Sequence, residues 1–194
     1  MALTSTYSAT PGKTQLAARA GTCPDRLVQA VRAEVRRGLD WQQTADCVAG
    51  MLRENLPEPV AILPAELRRG DPACYQSHLL YTEPDGSFSI AAMVWLPGQQ
   101  TVIHDHVAWC VTGVLQGREH EEIFALADDG SVLRVIARNV NSAGAVCGFA
   151  PPGDIHRVRN TGDSVAISMH VYGADLSRLG TSVRREYNLL LRSS

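Results

Sequence analysis

Two histidines separated by one residue carry the clearest chemical signal in the chain. His104 and His106 flank Asp105 in the segment QQTVIHDHVAW. On a strand, residues i and i+2 project to the same face, so both imidazoles look into one space. Two neutral imidazoles aimed at one cavity are well placed as metal ligands, whereas a lone histidine is more often a hydrogen-bonded core or surface residue. His156 follows a Pro-Pro-Gly-Asp turn, and His170 lies in SVAISMHVY.

The elements around these residues change character along the chain. Residues 1–20 mix Ser, Thr, Ala, Gly and Pro without periodicity and read as a flexible N-terminus. Residues 21–64 read as helical. Leu27, Val31 and Val35 recur every fourth residue, Pro24 suits a first helical position, and Gly38 follows Arg36 and Arg37 as a stop. A second helix opens at Asp40 with Gln43 three residues on, and aligns Ala45, Val48 and Leu52 before Pro57 and Pro59 end it. Residues 65–194 switch to short runs rich in Val, Ile, Phe and Tyr, punctuated by Pro-Asp-Gly, Asp-Asp-Gly and Pro-Pro-Gly-Asp turns. Seven or more strands at roughly ten-residue spacing, with no intervening helix, predict an antiparallel sandwich or barrel.

Composition narrows the function classes. The 194 residues carry a net charge of -2, from 18 Lys and Arg against 20 Asp and Glu. That balance gives no drive toward nucleic acid or an anionic membrane. No apolar run approaches the ~20 residues a membrane span needs. The first 24 residues hold no apolar core of a secretory signal, which predicts a cytoplasmic, soluble, single-domain protein. Five scattered cysteines (Cys23, Cys47, Cys74, Cys110, Cys147) without a CxxC argue against both a disulfide framework and a structural zinc site.

The wider spacing resembles the cupin superfamily, whose first motif reads G-x5-H-x-H-x3-E-x6-G. Gly98, His104, His106 and Gly117 stand in step, with Cys110 where the Glu would be. The second motif, G-x5-P-x-G-x2-H-x3-N, is matched by Pro151, Gly153, His156 and Asn160, with Gly144 one residue too far upstream. The resemblance implies a mostly β fold, a single cupin (double-stranded β-helix, jelly-roll-like) barrel with two or three N-terminal helices packed on it. Losing the Glu leaves three neutral histidines as the metal ligands: His104, His106 and His156.

Three-histidine ligation within a cupin is similar to the thiol dioxygenases, the family of cysteine dioxygenase and the bacterial 3-mercaptopropionate dioxygenases. The likeness runs from about Tyr75 to Tyr172 and is most specific in VWLPGQQTVIHDHVAW, GVLQG, GDIHRVRN and SMHVYGADL. It implies non-haem Fe(II) as cofactor and O2 as co-substrate. Both oxygen atoms would go to the sulfur of a small thiol to give a sulfinate. Iron held by three neutral ligands keeps its +2 charge, which favours a thiolate over a thiol. The family's Ser-x-His-x-Tyr triad is matched by Ser168, His170 and Tyr172, which alternation places on one face of their strand. The other reading of Tyr172 is an aromatic core residue with a satisfied hydroxyl. Cys110 stands near the position of a thioether partner, so a Cys110–Tyr172 crosslink and an unmodified buried thiol are both open.

Substrate recognition follows the family less closely. Counting back from the histidine pair lands on Gln76 as a substrate contact. After Tyr172 the chain reads GADLSRLGTSVRREY, about three residues longer than the family's usual spacing, with Arg178, Arg184 and Arg185 as candidates for a substrate carboxylate. Bidentate capture needs an arginine placed to within about 0.5 Å. The expected partner is a small thiol or thione: 3-mercaptopropionate, a cysteine-like thiol, or a larger compound such as ergothioneine or mercaptosuccinate. The expected assembly is a monomer or small homo-oligomer. The same three histidines also suit a metal-dependent cupin isomerase or hydrolase, and a non-catalytic small-molecule-binding cupin.

Overall fold

The structure is a computed structural model, and it describes Leu16–Ala17 and residues 21–192. In chain order the elements are β1 (Leu16–Ala17), α1 (Asp25–Val35), α2 (Trp41–Asn55), α3 (Pro59–Ile62), β2 (Gln76–Thr82), β3 (Ser89–Trp95), β4 (His104–His106), β5 (Cys110–Gln116), β6 (Arg118–Leu126) and β7 (Val132–Ser142). They continue with β8 (Val146–Phe149), β9 (His156–Arg159), β10 (Ala166–Tyr172), α4 (Leu176–Leu179), β11 (Val183–Glu186) and β12 (Leu190–Arg192). The flexible N-terminus expected for residues 1–20 lies outside the described residues except for Leu16–Ala17, which pair in parallel with Ser77 and His78 of β2.

The strands form two sheets, ordered β1-β2-β3-β10-β5-β8 and β11-β4-β9-β6-β7-β12. Apart from the two-residue β1 and the terminal β12, every pairing is antiparallel. Facing each other, the sheets make a cupin barrel. The fold is mostly β.

Both helical stripes read from the sequence face the barrel. Leu27, Val28 and Val31 of α1 are buried, and Val35 packs at the edge of the same cluster. Pro24 sits one position earlier than expected, as the residue before the first helical position. Asp40 caps α2 by accepting from the Gln43 backbone N–H at 2.8 Å, satisfying one of the helix's unpaired donors. Ala45, Val48 and Leu52 of α2 share one core with Ile90, Ala92, Val94, Ile167 and Val171 on the outer face of the first sheet. Each fully buried Leu or Val there contributes about 1.5–3 kcal/mol. Helix and sheet come close because Gly148 lets them. A Cβ at that position would lie 2.9 Å from the carbonyl oxygen of Ala45.

Strand β10 is buried along its whole length because it has a different neighbour on each side. Ile167, Met169 and Val171 face the helices, while Ser168, His170 and Tyr172 face the barrel interior. In the opposite sheet, β11 braces the histidine strand β4 along its edge.

Candidate metal centre and the relay facing it

The register of the second sheet sets His104 of β4 opposite His156 of β9, with His106 two residues along on the same face. One ring nitrogen from each of His104, His106 and His156 lies within 4.8 Å of the other two. All three residues are buried. Each ring also uses Nδ1 against an acceptor. His104 Nδ1 lies 3.0 Å from the Val102 carbonyl, His106 Nδ1 3.1 Å from Asp154 Oδ2, and His156 Nδ1 2.8 Å from Glu121 Oε1. A carbonyl or an ionised carboxylate can only accept, so each Nδ1 carries the hydrogen and each Nε2 keeps its lone pair for a metal. The donor set fits a divalent metal ion.

Electrostatics agree with neutral rings at His104 and His106. Burial and the neighbouring histidines push His104 well below its ordinary range, and burial also lowers His106 against the opposing pull of Asp154. Burial pushes the carboxyls of Asp154 and Glu121 up, but their hydrogen bonds to His106 and His156 outweigh it and hold both below the usual carboxylate range. Asp154 also accepts from the His106 backbone N–H at 2.9 Å, so one carboxylate fixes both the strand and its ring.

Across the cavity stand the three residues of β10. Ser168 Oγ lies 2.9 Å from His170 Nε2, and Tyr172 Oη 3.1 Å from His170 Nδ1. Trp95 Nε1 donates to Ser168 Oγ at 3.2 Å. Burial, helped by His106 and His156, lowers His170 to about 3, so its ring is neutral at physiological pH. Burial followed by the nearby Cys110 raises the Tyr172 phenol well above its ordinary value. Cys110 on β5 is the direct cross-strand partner of Tyr172.

A family model described as cysteine dioxygenase type I matches residues 66–184. The chain belongs to the cysteine dioxygenase type I family. Together with the three-histidine group, membership makes it a cupin-type metal-dependent enzyme. Solved structures share the barrel at a distance. A cupin 2 conserved barrel domain protein from Salinispora arenicola is 24% identical over 54% of this chain and 78% of its own, with a TM-score of 0.40. An oxalate oxidase is 20% identical over 63% of each chain, with a TM-score of 0.46. A double-stranded β-helix protein from Klebsiella pneumoniae is 16% identical over 57% of this chain and 80% of its own, with a TM-score of 0.44.

The residues proposed for substrate binding in this cysteine dioxygenase relative are not brought to the cavity. Gln76 faces away: its amide turns to the Cys74 carbonyl at 3.1 Å, while Tyr75 and Ser77 on either side line the cavity. Alternation along the strand decides this, since a one-residue step moves a side chain to the opposite face. Arg178 projects from α4 into solvent. Arg185 lies over the Tyr187 ring, 4.6 Å from its centroid. Arg184 is engaged with the buried Asp105 carboxylate, which also accepts from Tyr187 Oη at 2.8 Å. That contact ties β11 to the histidine strand from its outer face.

Sequence reasoning missed Glu119, Glu121, Asp154 and Trp95. A signal for two of them existed in REHEEIFAL, where acids at i and i+2 alternate inward on a barrel wall. Buried acids next to histidine ligands are outer partners rather than a solvated charge run.

Proposed function

We propose that the protein is a non-haem Fe(II) thiol dioxygenase that adds both atoms of O2 to the sulfur of a small thiol or thione, a thiol giving a sulfinate. The observation carrying this reading is the opposition of two built groups across one cavity: three histidines with their Nδ1 atoms engaged, and the Ser168–His170–Tyr172 line. An isomerase or hydrolase using the same histidines has no evident need for the second group. Iron(II) held by His104, His106 and His156 would supply a positive centre that favours a thiolate and the redox capacity to activate O2.

The chain's own residues do the rest. Tyr172, fixed by His170, presents a phenol to the cavity and can hold or release a hydrogen bond to the substrate as sulfur gains oxygen. Tyr75, Met93 and Trp95 supply an apolar wall, while Ser77, Thr181 and Ser182 offer neutral hydrogen-bonding groups. Among the described residues no Arg or Lys lines this cavity. This favours a thiol or thione whose body is neutral over a short carboxylate that needs a guanidinium. None of the five cysteines is paired in a disulfide among the described residues, which suits a reducing cytoplasm. Cross-strand placement of Cys110 beside Tyr172 also suits a thioether between them, read as an intact mass lighter by the two hydrogens the bond removes.

Anaerobic reconstitution with Fe(II), followed by O2 uptake across a panel of thiols and thiones with product mass spectrometry, tests the assignment. The expected result is one O2 consumed per sulfinate formed from a thiol. Turnover without O2 points instead to the isomerase or hydrolase, and binding without turnover to a non-catalytic cupin.

A further inference from the structure

Glu119 is a buried acid that the chemistry above leaves without a role. It sits on the inward face of β6 with 1% of its surface exposed, and its Oε1 has no hydrogen-bond partner. Its carboxyl interacts with the hydroxyl of Ser168 and the indole N–H of Trp95. Ser168 in turn touches His170, and His170 touches Tyr172. Ser168 and His170 therefore connect a buried carboxyl to the phenol that faces the metal centre.

We propose that Glu119 is a positioning residue that sets the direction of the hydrogen bonds along Ser168, His170 and Tyr172, and so decides whether Tyr172 offers the cavity an acceptor or a donor. The number of protons along the line fixes its direction. Ser168 Oγ has one hydrogen and two lone pairs. One lone pair is taken by Trp95 Nε1–H. When Glu119 is ionised, Ser168 donates to it, and its second lone pair accepts from His170 Nε2–H. His170 Nδ1 is then an acceptor, receives the Tyr172 hydroxyl, and leaves a phenolic lone pair toward the cavity. When Glu119 is protonated it donates to Ser168, which must now donate to His170 Nε2. His170 Nδ1 then carries the hydrogen and donates to Tyr172, whose own hydrogen turns into the cavity, where Ser182 can accept it. Thr112 Oγ1, 3.3 Å from His170 Nδ1, has a hydroxyl and serves either state.

The surroundings let both states form near neutrality. Burial pushes Glu119 up to about 7 against the pull of Ser168 and Trp95. The charged group facing it from its own strand is Glu121, which opposes its ionisation. Cys147 of β8 lies within electrostatic reach, and its cross-strand neighbour on β7 is the neutral Asn141. Arg118 beside it and Arg159 on β9 are exposed. Across the cavity, His170 stays neutral throughout this range.

The inference uses the reading of Tyr172 as a group facing the reaction, but its test needs no turnover. Protein carrying 15N-labelled histidine and loaded with diamagnetic Zn(II) reports the His170 tautomer by NMR, with the signal assigned from His170→Gln. The expected result in the wild type is a change from Nδ1–H to Nε2–H as pH rises through the neutral range. Glu119→Gln, which has no proton to exchange, should abolish that pH dependence. Glu119→Leu, which removes the acceptor, should hold His170 as Nδ1–H throughout. A wild-type tautomer that does not change across that range, or a change that persists in both variants, overturns the proposal. Either result leaves the dioxygenase assignment standing, since that is judged by sulfinate formation.

Discussion

Replacing Glu121 by Gln and by Leu separates the charge of a ligand-orienting group from its hydrogen bond. Glu121 Oε1 accepts from His156 Nδ1 at 2.8 Å, and both side chains are less than a tenth exposed. Glu121 also accepts from Asn139 Nδ2 at 3.2 Å, so its rotamer is held independently of the histidine. Gln keeps an oxygen acceptor and loses the charge. A hydrogen bond to a charged group contributes about 1.5–3 kcal/mol against about 0.5–1.5 for a neutral one, a difference of about 1–1.5 kcal/mol. If that difference is carried into metal binding, Glu121→Gln should weaken Fe(II) about five- to tenfold. Leu removes the acceptor altogether and frees the ring to turn. Loss of such an outer partner costs about ten- to a hundredfold in metal affinity. The assay is anaerobic competition for Fe(II) against a chromophoric chelator, with circular dichroism confirming that each variant is folded. Wild-type affinity in both variants refutes the argument that Glu121 tunes His156, and wild-type affinity in Glu121→Gln alone shows that the charge contributes nothing.

Three further outcomes follow from the packing and the ion pairs. Leu52→Ala, at a fully buried position joining α2 to the first sheet, should lower unfolding free energy by about 2–5 kcal/mol, read by urea titration. Glu83 is held below the ordinary carboxylate range, first by its hydrogen bonds to Arg32 of α1 at 2.7 and 2.9 Å. Its folded pKa is depressed, so the stabilisation is complete above the unfolded value of about 4.3 and is lost as pH falls through the folded value. The Tm gap between wild type and Glu83→Gln should therefore be open at neutral pH and close in acid; a gap independent of pH would contradict the pairing. Arg184→Ala leaves the buried Asp105 with Tyr187 alone and should lower Tm without changing KM, and Arg178→Ala and Arg185→Ala should leave KM unchanged too. A selective rise in KM for an anionic thiol in any of the three would restore that arginine as a substrate contact.

The sequence by itself determined whatever has a short period. Alternation along a strand put His104 with His106, and Ser168 with His170 and Tyr172, on common faces, because a two-residue repeat is a property of extended backbone. The stripes of α1 and α2, the Asp40 cap and the turns between strands are local in the same sense. Tertiary structure alone decided what those faces meet. His156 joins His104 through strand register across the second sheet, and the carboxylates orienting His106 and His156 come from 48 and 35 residues away. Gln76 shows the limit plainly: spacing named the strand but not its inward face, which is fixed by how the sheets close. Arg178, Arg184 and Arg185 were legible as charges, but their partners depend on where α4 and β11 lie against the barrel. Glu119 reads as one charge in a polar strand until the barrel encloses it. Burial then removes the water that would have solvated it and leaves Ser168 and Trp95 as its partners.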